Sequence, residues 1–326
     1  MSVVFMFPGQ SSRYPGMLDK LVDLHRPNAE LLAWASDVLN RDLRGHFAES
    51  AGEQAFARNV DVQISVFLAN HMVLRALEAE GVRAELSLGL SLGEWNHLVH
   101  IGALDFEQAL RAVEFRGQCY DTGPRGWMAA IQPIDGESLE DIVREASKVG
   151  TIEIVNFNSP RQHVIAGERA AVEVAVEQAE DEHYAQAHII DRNVPMHSSL
   201  FEVVGDRFAD YLRGLDFCVP RRPYLPNRLA RFIDAPTPEQ FVELLSTHVH
   251  APVLWRESIE AVVERCPEAA FVEVGPMSVL HNLMHRKWVR NRKFRVDSRE
   301  DIHAQFVATV DGLRGADPGR QACTPS

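Results

Sequence analysis

The segment Gly89-Leu90-Ser91-Leu92-Gly93 constrains this chain more than any other. A short apolar stretch, Ala84–Leu90, precedes it and a helix-like stretch from Leu92 to about His100 follows. Two glycines bracketing a serine between a strand and a helix fit the G-x-S-x-G elbow, where the chain turns sharply and lifts the serine above a sheet. Such a corner belongs to folds in which strands feed directly into helices. The rest of the N-terminal region agrees. Val3-Val4-Phe5-Met6-Phe7 reads as a buried strand that breaks at Pro8-Gly9-Gln10-Ser11-Ser12. Helical periodicity then runs from about Asn28 to Glu80, with an amphipathic stretch at Gln63–Glu80, and a further helix fits Asp105–Tyr120. Alternation of this kind predicts an α/β fold with a mainly parallel sheet.

The pattern changes at Gly123-Pro124-Arg125-Gly126. Trp127–Pro133 reads as a strand, Ser138–Lys148 as a helix, and Thr151–Phe157 and Gln162–Ala166 as strands. Arg169–Glu182 then reads as a helix and Ala185–Arg192 as a strand. This β-α-β-β-α-β order is the split ferredoxin-like pattern. After Pro195 longer helices return (Ser198–Leu212, Pro238–Val249, Arg256–Arg265), with a strand at Ala270–Val274 and a further helix beyond it. The expected layout is a large α/β domain from residues 1–125 and 195–314, a small domain at 126–194, and a disordered tail from 315 to 326.

Composition narrows the function. The 326 residues carry a formal net charge of -13, with 46% hydrophobic and 24% charged residues. That balance is ordinary for a soluble globular protein and opposes general nucleic-acid binding, which depends on Lys and Arg neutralising phosphates. No apolar run approaches the roughly 18 residues of a membrane span, and Met1–Phe5 lacks the pattern of a signal peptide. A cytoplasmic protein without membrane contact is expected. Cys119, Cys218, Cys266 and Cys323 are too scattered for a disulfide framework or a cysteine zinc site; the first three sit in apolar sequence suggestive of packing. A basic run, His285–Lys293, reads either as a solvated helix end or as a dock for an acidic partner. His281 and His285 have the i, i+4 spacing of metal ligands, but the glutamate of H-E-x-x-H is absent and no metal is expected.

Ser91 is the candidate nucleophile, and a serine hydroxyl needs a base to take its proton. Among 14 histidines, His197 in Val194-Pro195-Met196-His197 stands out, because it follows the last strand of the small domain where the chain returns to the large one.

Taken together, these segments resemble the malonyl-CoA:acyl carrier protein transacylase family, including the free-standing acyltransferases of polyketide synthases. Seven segments carry the resemblance in order: Phe7–Ser12, Gly89–Glu94, Phe115-Arg116-Gly117, Asn156–Pro160, Val194–His197, Pro252–Trp255 and Glu273–Pro276. The resemblance implies a hydrolase-like α/β domain with a ferredoxin-like insert. It implies a Ser91 acyl-ester intermediate, with His197 as base and then acid. Backbone N–H groups of Gln10 and Leu92 would form the oxyanion hole, and the carbonyl of His248 would orient His197. Arg116 would bind the free carboxylate of a malonyl-type group, with Gln10, Leu90, Met196 and Asn158 around the acyl chain.

Coenzyme A thioester would be a substrate, with no separate cofactor. The partner would be a phosphopantetheinylated acyl carrier protein, and the enzyme would work as a monomer in fatty acid or polyketide synthesis. Three departures stand out: Leu90 replaces the usual histidine, Ser11 a glycine, and Met196 a serine or phenylalanine. Two rival readings share the Ser91–His197 dyad. One is an acyltransferase shuttling a non-malonyl group between carriers, the other an editing hydrolase of acyl carriers. A non-catalytic docking module and a metal hydrolase are weaker alternatives.

Overall fold

Val3–Phe7 (β1) is apolar throughout and almost wholly buried, as a strand covered on both faces must be. In the computed structural model, which describes residues 2–315, it is one of two inner strands of a parallel sheet. Leu86–Gly89 (β2) pairs along one side of β1. The later strands are Trp127–Gln132 (β3), Ile152–Ser159 (β4), Gln162–Gly167 (β5), Gln186–Asp191 (β6), Ala270–Glu273 (β7) and Lys293–Arg295 (β8). β7 pairs on the other side of β1, and β8 completes the order β2-β1-β7-β8, every pair parallel.

A separate antiparallel sheet has the order β4-β5-β3-β6. Helices Gly136–Ala146 and Arg169–His183 cover it through Leu139, Ile142, Val172 and Ala175, which pack on Ile131, Ile154 and Ile165. Asp135 starts the first of these helices by accepting from the Ser138 N–H at 2.9 Å. Backbone bonds tie the two sheets' regions together. Phe157 N–H donates to the Val253 carbonyl at 3.0 Å, and Val253 N–H to the Val155 carbonyl at 2.9 Å. The cavity described below opens where the two sheets meet.

Most predicted elements fall within a few residues of their expected places; several differ for physical reasons. The helix read as amphipathic over Gln63–Glu80 runs Asn59–Ala79, and Asn59 to Asn70 are all buried. It is the core helix, wedged against helices Met17–Leu24 and Phe106–Asp121, and only its last turns carry a part-exposed side, at His71, Arg75 and Glu78. Its length and hydropathy would suit a membrane span, but 89% of that window lies inside the protein. The helix expected at Ser198 begins at Glu202 after a tight turn at Ser199–Phe201.

The basic run is not a helix end. Helix Val279–Leu283 stops before His285, so His281 and His285 do not share a helix face, and the run closes as edge strand β8. Helix Ile302–Arg314, which carries Phe306 and Val310 into the core, had no separate sequence prediction. Cys119 is buried and Cys266 half-buried, but Cys218 is exposed, since its segment crosses the surface. Cys323 and all but the first residue of the expected tail lie outside the described residues.

Candidate active site

Ser91 stands at the corner between β2 and helix Gly93–Ile101 with φ +50°, a left-handed conformation uncommon for a residue with a side chain. The glycines make the corner sterically possible. A Cβ on Gly89 would sit 2.0 Å from the Gly93 carbonyl, and one on Gly93 would sit 2.0 Å from the Phe7 oxygen. Leu90 N–H donates to Phe7 O at 3.0 Å, anchoring the turn on β1. Asn227 completes it: its Oδ1 accepts from the Ser91 N–H at 2.8 Å, and its Nδ2 donates to Gly89 O at 2.6 Å.

His197 is also left-handed, with φ +65°, in the segment leaving β6. Its Nε2 lies 2.8 Å from Ser91 Oγ, and its Nδ1 lies 2.6 Å from the His248 carbonyl oxygen. A carbonyl can only accept, so Nδ1 carries the hydrogen and Nε2 presents its lone pair to the serine hydroxyl, which donates. The ring is 2% exposed. Burial, helped by the nearby Arg116 charge, pushes its pKa down to about 3, so it is a neutral base at neutral pH.

Gln10 begins the turn Gln10–Ser12 after β1, and Leu92 immediately precedes helix Gly93–Ile101. Among the described residues, neither backbone N–H donates to a protein acceptor. Two uncommitted donors thus flank the serine, one at the positive end of a helix.

A cavity of about 400 Å³ opens over Ser91 and His197. Gln10, Leu90, Met196 and Asn158, all expected around an acyl chain, line it with Met128, Val164 and Leu283. Through Gln162, Val279 and Leu283 it joins a wider outer groove bordered by Arg161, His285 and Lys287. Leu92 and His248 are not in the lining; His248 reaches His197 through its backbone carbonyl.

Arg116, on helix Phe106–Asp121, is 1% exposed rather than on a solvent face. Its Nη1 donates to Gln63 Oε1 at 2.8 Å, its guanidinium lies 4.5 Å over the Tyr120 ring, and its Nη2 has no partner. It lies behind the cavity lining, close enough for its charge to act on His197. Burial lowers its pKa, opposed by Tyr120 and Glu94 nearby, and among the described residues it makes no salt bridge within 4.0 Å.

Sequence reading missed the residues that hold these groups. Asn227 sits in a loop without periodicity, 136 positions from Ser91, and carries no local signal. Gln63 looks like any polar residue of a helix. Glu94, visible in the segment Gly89–Glu94, is 1% exposed and bound to Tyr224, which nothing in the sequence singles out. Among the described residues no cluster of three His, Cys, Asp or Glu side chains could hold a metal ion.

The sequence pattern of the acyl transferase domain matches residues 4–302. The malonyl CoA-acyl carrier protein transacylase of Escherichia coli K12 is 32% identical over 289 residues, covering 86% of this chain and 91% of that protein. This chain belongs to that family. The Haemophilus influenzae transacylase is 30% identical, covering 86% of the chain and 90% of that relative. Solved members superpose closely. An acyl-carrier-protein S-malonyltransferase from Burkholderia pseudomallei has a TM-score of 0.86 at 31% identity, covering 96% of this chain and 99% of its own. A malonyl-transacylase solved in complex with a type II PKS acyl-carrier protein reaches 0.87 at 29% identity, covering 96% and 100%. The family's fold of one parallel and one antiparallel sheet is therefore the fold of this chain, and membership makes it an acyltransferase.

Proposed function

We propose that this acyltransferase moves a malonyl-type group from coenzyme A to the phosphopantetheine thiol of an acyl carrier protein, through an ester on Ser91. The observation that carries the reading is the 2.8 Å contact from Ser91 Oγ to His197 Nε2, with Nδ1 held on a backbone carbonyl. His197 Nε2 removes the hydroxyl proton as Oγ forms a bond to the thioester carbon, giving a tetrahedral oxyanion. The free N–H groups of Gln10 and Leu92 would receive that oxygen; one such donor is typically worth about 100- to 1,000-fold in rate. Collapse breaks the C–S bond, and His197 returns the proton to the departing thiolate. The carrier's thiol then loses its proton to His197, attacks the ester carbon and releases Ser91, which takes the proton back.

The buried Arg116 supports a carboxylated acyl group, since a dry guanidinium with an unpartnered nitrogen favours an anion that accepts a charge-assisted hydrogen bond there. The coenzyme A thioester enters as substrate, and none of these steps calls for a further cofactor. The β-α-β-β-α-β order of the second sheet supports a ferredoxin-like domain at 126–194 set into a hydrolase-like domain. Its two ends meet, with Gly126 N–H donating to Asn193 O at 3.3 Å. We place the enzyme in the cytoplasm, in fatty acid or polyketide synthesis. Intact-protein mass spectrometry after exposure to a panel of acyl-CoAs tests the reading. A malonyl-sized adduct is expected on the wild type and none on Ser91→Ala; an adduct on that variant would refute it.

A further inference from the structure

His197 is positioned by a two-residue stretch of backbone. Its ring Nδ1 bonds the His248 carbonyl, and its own N–H donates to the Val249 carbonyl at 3.0 Å. His248 is the last residue of helix Pro238–His248. The final carbonyls of a helix have no intrahelical N–H to accept, so this oxygen is free to take the imidazole hydrogen. Backbone bonds from Val249 N–H to Ser246 O and from His250 N–H to Thr247 O, both 3.1 Å, close the turn itself, so what remains to be fixed is its placement against the serine's helix.

The His248 side chain supplies a candidate hold. Its Nδ1 lies 3.1 Å from Glu94 Oε2, on an oblique approach, with the two residues 2% and 1% exposed. Glu94 Oε1 accepts from the Tyr224 hydroxyl at 2.5 Å, and Tyr224 is fully buried. The His248 ring also stacks on the His197 ring, with centroids 4.8 Å apart and planes 26° apart. Glu94 belongs to the nucleophile's own turn: its N–H donates to the Ser91 carbonyl at 3.0 Å. Burial pushes the Glu94 carboxyl up to about 8 and His248 well below the usual histidine range. At neutral pH the contact therefore joins a mostly protonated acid to a neutral ring, with the Arg116 and Arg228 charges acting on His248.

We infer that Glu94 and the His248 side chain form a strut between the serine's helix and the helix end that orients His197, so that both are positioning residues for the acyl transfer. The inference rests on the reading of Ser91 and His197 given above. Its chemistry is geometric: the strut ties the elbow to the orienting carbonyl, and no proton passes through it. A misplacement of about 1 Å in a reacting pair can cost about 100-fold, so the strut has leverage on the acylation rate rather than on substrate affinity.

Four variants, each first checked by thermal melting, test it through single-turnover acylation of Ser91 by malonyl-CoA. Glu94→Ala and His248→Ala, the latter retaining the backbone carbonyl, should each slow acylation about 10- to 100-fold with KM little changed. The double variant should be no slower than the worse single, because one contact is lost in each case. Glu94→Gln keeps the polar contacts and should stay within about threefold of wild type. If the alanine variants do not fold, Tyr224→Phe removes one anchor without a cavity and should cost roughly 3- to 10-fold. Single-variant rates within twofold of wild type, losses that multiply, or a Glu94→Gln enzyme as slow as Glu94→Ala would overturn the inference. Ser91→Ala separates the two levels. An adduct on that variant sinks the underlying reading, whereas an inert Ser91→Ala beside an unimpaired Glu94→Ala sinks the strut alone.

Discussion

Replacing Arg116 with methionine removes the guanidinium while keeping much of the side-chain bulk inside helix Phe106–Asp121. In the structure Nη1 is committed to Gln63 at 2.8 Å, and Nη2 is the buried donor without a partner. The substrate carboxylate therefore gains one strong new hydrogen bond at Nη2, with any second bond made partly at the expense of Gln63. A hydrogen bond to a charged group is worth about 1.5–3 kcal/mol, so Arg116→Met should lower malonyl loading relative to acetyl loading by roughly 10- to 150-fold. The variant also leaves Gln63 Oε1 without its donor, at a cost to stability of about 1–3 kcal/mol. Taking the ratio of the two acyl groups on one preparation cancels that cost. The assay is single-turnover adduct formation from malonyl-CoA and acetyl-CoA in parallel. A ratio within threefold of wild type would refute the assignment of Arg116 to the acyl carboxylate.

Two further predictions concern pH and the elbow. His197 is held neutral down to about 3, so the acylation rate of the folded enzyme should stay flat from pH 7 to about 5; an acid limb centred near 6.5 would contradict this. Folded His71, His97, His100 and His197 stay neutral to about 3 while the unfolded chain protonates near 6.5, so their contribution to stability is lost as pH falls through that window. Glu94 and Glu273, raised to about 8 by burial, act in the opposite sense and lose their contribution as pH rises from 4.5 through 8. Thermal stability should thus peak at about pH 6–7, and a Tm that climbs steadily from pH 7 to 9 would refute the balance. Asn227→Ala strips partners from the Ser91 N–H and the Gly89 carbonyl, each worth about 1–3 kcal/mol when buried. It should lower both Tm and kcat, and a variant matching wild type in both would show that the elbow holds itself.

Much of the chemistry was legible because it is local. The elbow is a five-residue pattern whose glycines are required by contacts within the turn and with β1, so Ser91 could be picked from the sequence. The β-α-β-β-α-β order over residues 127–192 could be read because each element carries its own period and its own turn residues. His197 was weaker as a bare sequence candidate and gained its place through its motif. The amphipathic reading of Gln63–Glu80 holds only for the last turns of helix Asn59–Ala79, where His71, Arg75 and Glu78 are part-exposed; from Asn59 to Asn70 every residue is buried, and a helix enclosed on all sides displays no period.

What the chain's order alone determined, then, was a candidate nucleophile at a glycine-flanked elbow, the succession of strands and helices, and the segments that resemble known acyltransferases. Only the tertiary structure decided that Arg116 is buried with a nitrogen to spare, that Asn227 pins the turn at Ser91, and that Glu94 and Tyr224 meet beside it. Asn227 lies 136 positions from Ser91, and Tyr224 lies 130 from Glu94. Such pairings come from the packing of whole elements, and packing leaves no mark on either neighbourhood when read by itself.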